Sequence, residues 1–231
     1  MKTKQQQAAS MNIRIDDLST IEPITENQRE AFAAWKDGDH LALIGTAGTG
    51  KTFLGMYLAL EEILDRSTTY EKLIIVRSVV PTRDVGYLPG SLEEKLEAFT
   101  GPYRSAAAEM FDDNKAYEKL IHNEYLSFES TSYIRGITFD HSIILVDECQ
   151  NLNFHELDSV ITRVGEGTKI IFSGDYRQTD FKNNNDKDGI NKFLKILDQM
   201  KDFSIITFSW EDIVRSDFVR DYIMTKEWMG L

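Results

Sequence analysis

The chain has 231 residues, 42% of them apolar, enough for one domain with a sizeable core but cramped for two. Its net charge of −12 argues against a protein that coats nucleic acid nonspecifically, although it leaves room for a local basic patch. A single cysteine, Cys149, excludes an intramolecular disulfide, a structural zinc centre and a redox pair, which fits a reducing cytoplasm. No apolar stretch approaches the roughly 18 residues that span a bilayer, and the first residues lack the apolar segment of a signal peptide, so no membrane association is expected.

Residues 1–10 are polar and without periodicity and read as a flexible tail. A first helix is predicted over 27–36, where Thr25-x-x-Gln28 fits a capping box; Gln28 is equally an amide placed to read adenine, and the two readings compete. An apolar strand, His40-Leu41-Ala42-Leu43-Ile44, then runs into Gly45-Thr46-Ala47-Gly48-Thr49-Gly50-Lys51-Thr52, followed by an apolar helix over 52–65. Those eight residues fill the Gly-x-x-x-x-Gly-Lys-Ser/Thr pattern of a phosphate-binding loop in the strand–loop–helix setting that the motif requires. The glycines let backbone N–H groups wrap phosphates, Lys51 supplies a cation for the β and γ phosphates of ATP, and Thr52 offers a hydroxyl to Mg²⁺.

Further short apolar runs at 73–76, 143–146, 170–172 and 205–208 read as strands buried on both faces. Helical spacing at 92–98, 103–122, 154–163, 189–200 and 216–228 alternates with them, which predicts an α/β fold with a mostly parallel sheet flanked by helices. Near 78–138 the rhythm is interrupted by Pro81, Pro89 and Pro102 and a short β-like piece at 126–130, so an inserted segment on a single domain over 11–231 is expected.

The run Ile143-Ile144-Leu145-Val146 ends in Asp147-Glu148, a strand delivering one carboxylate for a metal and one to orient water. A further strand runs through Ser173-Gly174-Asp175 toward Gln178, an amide beyond a strand end that either senses the γ-phosphate or is a polar turn residue. Asn184-x-Asp186-x-Asp188-Gly189 imitates the opening of a calcium loop, but Lys195 stands where a bidentate glutamate is needed. The four histidines lack metal-ligand spacing, and Cys149 has no paired base, so packing is expected of it.

In order, Gln28, the loop, Arg77-Ser78-Val79-Val80-Pro81, Gly86-Tyr87-Leu88-Pro89-Gly90, Tyr133-Ile134-Arg135-Gly136, Asp147-Glu148-Cys149-Gln150-Asn151, Gly174-Asp175-Tyr176-Arg177-Gln178 and Asp212-Ile213-Val214-Arg215 closely resemble the PhoH-like ATPase family. The resemblance implies a RecA-like core related to superfamily 1 helicases, with Gln28 contacting adenine, Gln178 sensing the γ-phosphate and Arg215 as a candidate arginine finger. It also implies a homohexameric ring and single-stranded nucleic acid, RNA before DNA, as the partner. Arg77, Arg83, Lys95 and Arg135 match basic positions of the pattern, and phosphate neutralisation is the physical role they would serve; for Arg83 and Lys95 solvated surface charge is an equal reading.

Two departures stand out: Thr46 where relatives usually carry proline, and Cys149 where alanine is usual. Neither removes a catalytic group. The compact form resembles the PhoH-like proteins often carried by bacteriophages, which places the expected cytoplasm in a bacterium or a phage-infected host cell. Two other classes share the phosphate loop: an ATP-dependent small-molecule phosphotransferase, against which Glu148 and Gln178 favour attack by water, and an ATP-binding assembly module without nucleic acid.

Overall fold

The computed structural model describes residues 11–78, 99–175 and 184–229. The expected tail, the helix at 92–98, and Arg83, Lys95 and Gln178 lie outside the described residues. The elements run α1 (Glu26–Lys36), β1 (His40–Gly45), α2 (Lys51–Leu64), β2 (Lys72–Arg77), α3 (Gly101–Phe111), α4 (Ala116–His122) and β3 (Leu126–Ser130). They continue through β4 (Ser142–Val146), α5 (Phe154–Ile161), β5 (Lys169–Gly174), α6 (Asn184–Leu197), β6 (Phe203–Phe208) and α7 (Asp217–Trp228).

The six strands form one sheet in the order β3-β2-β4-β5-β1-β6, and every pairing is parallel. Parallel strands need crossover helices, which cover both faces, so the strands must be apolar on both sides. Alternation assigns the faces: Leu41, Leu43, Leu73 and Ile75 pack with α1 to α4, whereas Ala42, Ile44, Ile74 and Val76 pack with α5 and α6. The result is a three-layer α/β/α core. Its most buried helix is α2, with Met56, Leu58, Ala59 and Leu60 at 1% exposure or less; truncating Leu58 to alanine would cost about 2–5 kcal/mol.

Two expectations are corrected. The continuous helical pattern over 103–122 is two helices, because Asp112 adopts a left-handed conformation at φ 46° and Asp113 accepts from the Lys115 N–H at 2.9 Å while pairing with Lys119 at 2.6 Å. A run of short polar residues that bond to nearby backbone breaks a helix even when the apolar spacing continues across it. The helix expected at 189–200 begins at Asn184, so the stretch resembling a calcium loop is helical backbone. Within the segment expected as an insertion, α3, α4 and β3 are part of the core, and β3 pairs with β2 from Leu73↔Leu126 to Arg77↔Ser130.

The strand order positions the site. β5 lies between β1, which leads into the phosphate loop, and β4, which ends in the two acids. The carboxyl ends of all three therefore open on one crevice, the place where open parallel sheets bind ligands.

Candidate nucleotide-binding site

β1 closes on Gly45 at φ +136°, where a Cβ would stand 1.9 Å from the Phe208 carbonyl oxygen of β6. No side chain fits there. Thr46 donates its N–H to that same carbonyl at 3.1 Å, a bond unavailable to the proline usual at this position. The loop continues through Ala47 and turns at Gly48 (φ +80°) before Gly50 caps α2. Lys51 opens α2 and folds its Nζ back over the loop, donating to the carbonyls of Gly45 (2.8 Å) and Thr46 (2.7 Å) and to the Thr49 hydroxyl (3.3 Å). Burial lowers its pKa from the ordinary lysine value, against the pull of Asp175, Glu148 and Asp147.

Thr52, one residue on, donates its hydroxyl to Asp147 Oδ1 at 2.7 Å and lies 3.4 Å from the Ser173 hydroxyl of β5. The other oxygen of Asp147, Oδ2, accepts from the Tyr103 hydroxyl of α3 at 2.7 Å. Tyr103 is wholly buried, and burial, with the Asp147 charge next, raises its pKa far above the ordinary phenol; its O–H is a permanent donor. The Arg77 guanidinium at the end of β2 is close enough to pull the other way on it. Burial works against the Arg77 charge, but the Tyr103 oxygen and the Asp147 and Glu148 carboxylates outweigh it and hold the guanidinium above its ordinary pKa.

Glu148 sits in a left-handed conformation at φ 52°, unusual for a non-glycine residue and of the kind held where function requires it. Its Oε2 accepts from the Gln150 side-chain Nε2 at 2.6 Å, and Gln150 Oε1 accepts from the Asp175 N–H at 3.0 Å. Gln150 thus ties the second acid to the end of β5. Cys149 between them is fully buried, and burial pushes its thiol well above the ordinary value, so it packs and does not ionise.

The covering segment comes from the far end of the chain. Asp212 accepts from Asn27 at 2.7 Å and from the Ser209 N–H at 2.9 Å, which fastens the turn after β6 to the start of α1. Val214 then donates its N–H to the Gly48 carbonyl at 3.2 Å, and the Arg215 Cγ lies 3.3 Å from the point a Cβ on Gly48 would occupy. Arg215 therefore stands over the loop of its own chain. Together these groups line a cavity of about 420 Å³ whose walls include Lys51, Thr52, Arg77, Asp147, Glu148 and Arg215.

Of the remaining sequence candidates, Gln28 is in a cap: its N–H donates to Thr25 Oγ1 at 3.3 Å and its side-chain oxygen accepts from the Ile24 N–H at 2.8 Å. Arg135 is exposed on the turn after β3, away from the cavity lining, whereas Arg77 belongs to that lining. Sequence reasoning gave no role to Tyr103, Gln150, Ser173 or Asp212. Gln150 and Asp212 stand inside recognisable motifs, but nothing local marks Tyr103, whose partner is 44 residues away.

Comparison with known families matches the sequence to the family described as PhoH-like protein over residues 20–226, nearly the whole chain. The chain belongs to the PhoH-like protein family. A PhoH-like protein of Synechocystis sp. is 32% identical over 204 residues, 88% of this chain and 61% of that one. Protein PhoH2 of Bacillus subtilis is 40% identical over 144 residues, 61% of this chain and 32% of that one. The chain thus spans less than two thirds of the length of these curated relatives. Among solved structures, the large terminase of a thermophilic bacteriophage in complex with ADP aligns with a TM-score of 0.53 at 14% identity, covering 87% of this chain and 49% of that one, a likeness of fold. Among the described residues of this PhoH-like chain, no helix is long and apolar enough to cross a membrane.

Proposed function

We propose that this PhoH-like chain is a Mg²⁺-dependent ATPase whose hydrolysis is coupled to binding, translocation on or remodelling of single-stranded nucleic acid, RNA in preference to DNA, in the manner of a helicase. The observation that carries the ATPase reading is the 2.7 Å hydrogen bond between the Thr52 hydroxyl and the Asp147 carboxylate, formed between residues 95 apart in the chain and within reach of Lys51 and Glu148. The donor set suits a hard cation that takes one carboxylate and one hydroxyl and completes its shell with phosphate oxygen and water. Among the described residues no cluster of three or more His, Cys, Asp or Glu side chains forms a metal cage, as expected for such a site.

In this reading Lys51 and the loop N–H groups bind the β and γ phosphates, and Thr52 and Asp147 hold the metal. The metal supplies neutralisation of charge on the phosphate oxygens. Glu148 takes a proton from the attacking water as its oxygen bonds to the γ-phosphorus, and the bond to the bridging oxygen breaks to release ADP and phosphate. Arg215 neutralises charge on the transferring group from within the same chain, since its stem already rests on Gly48. Gln178 as γ-phosphate sensor, Gln28 as adenine contact, and Arg83, Lys95 and Arg135 as nucleic-acid contacts belong to the reading on the strength of the family pattern. A hexameric ring belongs to it on the same ground, without a finger supplied in trans.

Phosphate release is measured with Mg²⁺-ATP alone, with single-stranded RNA and with single-stranded DNA, against Glu148→Gln as background. Stimulation by RNA above DNA is expected, with the variant slower by about a hundredfold or more. Turnover indifferent to both polymers would remove the nucleic-acid coupling, γ-phosphate transferred to an added metabolite would make the protein a phosphotransferase, and tight ATP binding without turnover would make it an assembly module. Mixing Arg215→Ala with Lys51→Ala protein should restore no activity; recovery would place the arginine in a neighbouring copy's site.

A further inference from the structure

Asp147 is gripped at both oxygens. Thr52 holds Oδ1 from the phosphate-loop side, and Tyr103 holds Oδ2 from α3 at the same 2.7 Å. The tyrosine is itself fixed: its side chain has no exposed surface, and its ring packs on Phe128 of β3 with centroids 5.6 Å apart. Nearby, the Arg77 guanidinium lies 5.8 Å from the Phe99 ring centroid. A hydroxyl in such a place costs stability unless it is hydrogen-bonded, and phenylalanine would fill the same volume. The buried phenol therefore spends its donor capacity on one side chain, the carboxylate that faces the metal position.

We propose that Tyr103 is the positioning residue of the metal carboxylate: by holding Oδ2 it fixes the plane of Asp147 and presents Oδ1 to the cation beside Thr52. The inference rests on the Mg²⁺-ATPase reading above and adds to it a residue from the helix after β2. Outer contacts of this kind orient a ligating group, and losing one typically weakens metal affinity by about 10-fold to 100-fold. Tyr103 does not touch nucleotide phosphate in this scheme, so its loss should be felt only when metal is present.

The test is the affinity of the full chain for a fluorescent ADP analogue, measured in EDTA and again in Mg²⁺, for the wild type and for Tyr103→Phe. In EDTA the two proteins should bind alike, which also reports that the variant is folded. With Mg²⁺ the wild type should gain affinity, and the variant should gain about tenfold less; ATP turnover at saturating nucleotide should then demand correspondingly more Mg²⁺. An equal gain in both proteins would overturn the proposal, as would a loss of the same size in EDTA, because either would make Tyr103 a packing residue. No gain in the wild type would sink the Mg²⁺ reading itself. Should Tyr103→Phe fail to fold, Tyr103→Met, which also removes the donor, replaces it, and a wild-type gain there would likewise overturn the proposal.

Discussion

Two lysines at opposite edges of the sheet are hidden to the same degree, Lys51 at 8% exposure and Lys169 at 7%, yet they are held in different ways. Lys169, the first residue of β5, donates to the Trp35 carbonyl at 2.8 Å, lies 3.9 Å from the Trp35 ring centroid and pairs with Glu62 at 3.4 Å. Its charge is answered by a carbonyl, a ring face and a carboxylate. Lys51, at the carboxyl ends of the strands, donates to two carbonyls and a hydroxyl of its own loop, while the acids Asp175, Glu148 and Asp147 attract it against the cost of burial. A buried cation hydrogen-bonded to neutral acceptors keeps attraction for an anion that brings several oxygens. The amino-terminal edge of the parallel strands is thus built for stability and their carboxyl-terminal edge for phosphate.

The largest effect should follow from Lys51→Ala. Removing a preorganised charge aimed at a transferring phosphoryl group should lower ATP turnover by about a hundredfold to a thousandfold. The thermal midpoint should move little, because burial of the ammonium already opposes its charge and the cavity that Lys51 lines admits water to the carbonyls it leaves. Parallel phosphate-release and melting measurements check both halves. A variant that keeps full turnover would end the assignment of this loop, and one that melts much lower would erase the contrast with Lys169.

The mirror experiment is Lys169→Met, which keeps the length of the stem and removes the ammonium. It strands the Trp35 carbonyl and leaves Glu62 without its cation, and should cost about 1–3 kcal/mol of folding stability. Turnover per folded molecule should be unchanged. Denaturant unfolding measures the first, and a titration of active sites under native conditions measures the second; a stable but inactive Lys169→Met protein would show that the two edges are not separable.

The same contrast explains how much could be read from the chain. Within the loop Gly45-Thr46-Ala47-Gly48-Thr49-Gly50-Lys51-Thr52, the bonds of Thr49 and Lys51 to Gly45 and Thr46 span at most six residues, so a contiguous string of letters carries much of its shape and chemistry. The strand before Asp147-Glu148 is legible for a similar reason, since a short apolar run followed at once by two acids records a buried strand that delivers carboxylates at its end. Tyr103 and Asp212 are different: their partners lie 44 and 185 residues away, and apolar periodicity reports that a position is buried without reporting what it meets. The break in the helix after Phe111 escapes the pattern because Asp112 and Asp113 act through local backbone bonds while the apolar spacing runs on past them. For Gln28 half of the expected capping box is present, since its N–H bonds Thr25 while its side-chain oxygen takes the N–H of Ile24, one residue before the cap; it sits beside Asn27, whose amide reaches Asp212 of the segment that covers the loop.

The smallest expected effect lies at the stability edge and is set by pH. His40 opens β1, stacks at 5.3 Å on Phe203, and uses Nδ1 to accept the Ile170 N–H at 3.2 Å. Burial first, and then the nearby charge of Lys169, lower its pKa below the ordinary imidazole value, against weaker opposing pulls from Asp202 and Asp39. The folded state therefore prefers neutral His40, and its contribution is complete above the unfolded value of about 6.5. As pH falls below that value the unfolded chain takes up the proton more readily than the folded one, and the contribution shrinks until the folded imidazole is protonated as well. A protonated Nδ1 can no longer accept from Ile170, so the loss is borne by the β1–β5 pairing, whose far end carries the phosphate loop. His40→Asn supplies a non-titrating acceptor in nearly the same place. Melting from pH 7.5 to pH 5 should lower the wild-type midpoint more than that of His40→Asn, and equal slopes would mean that His40 stays neutral, or is free to charge, in both states.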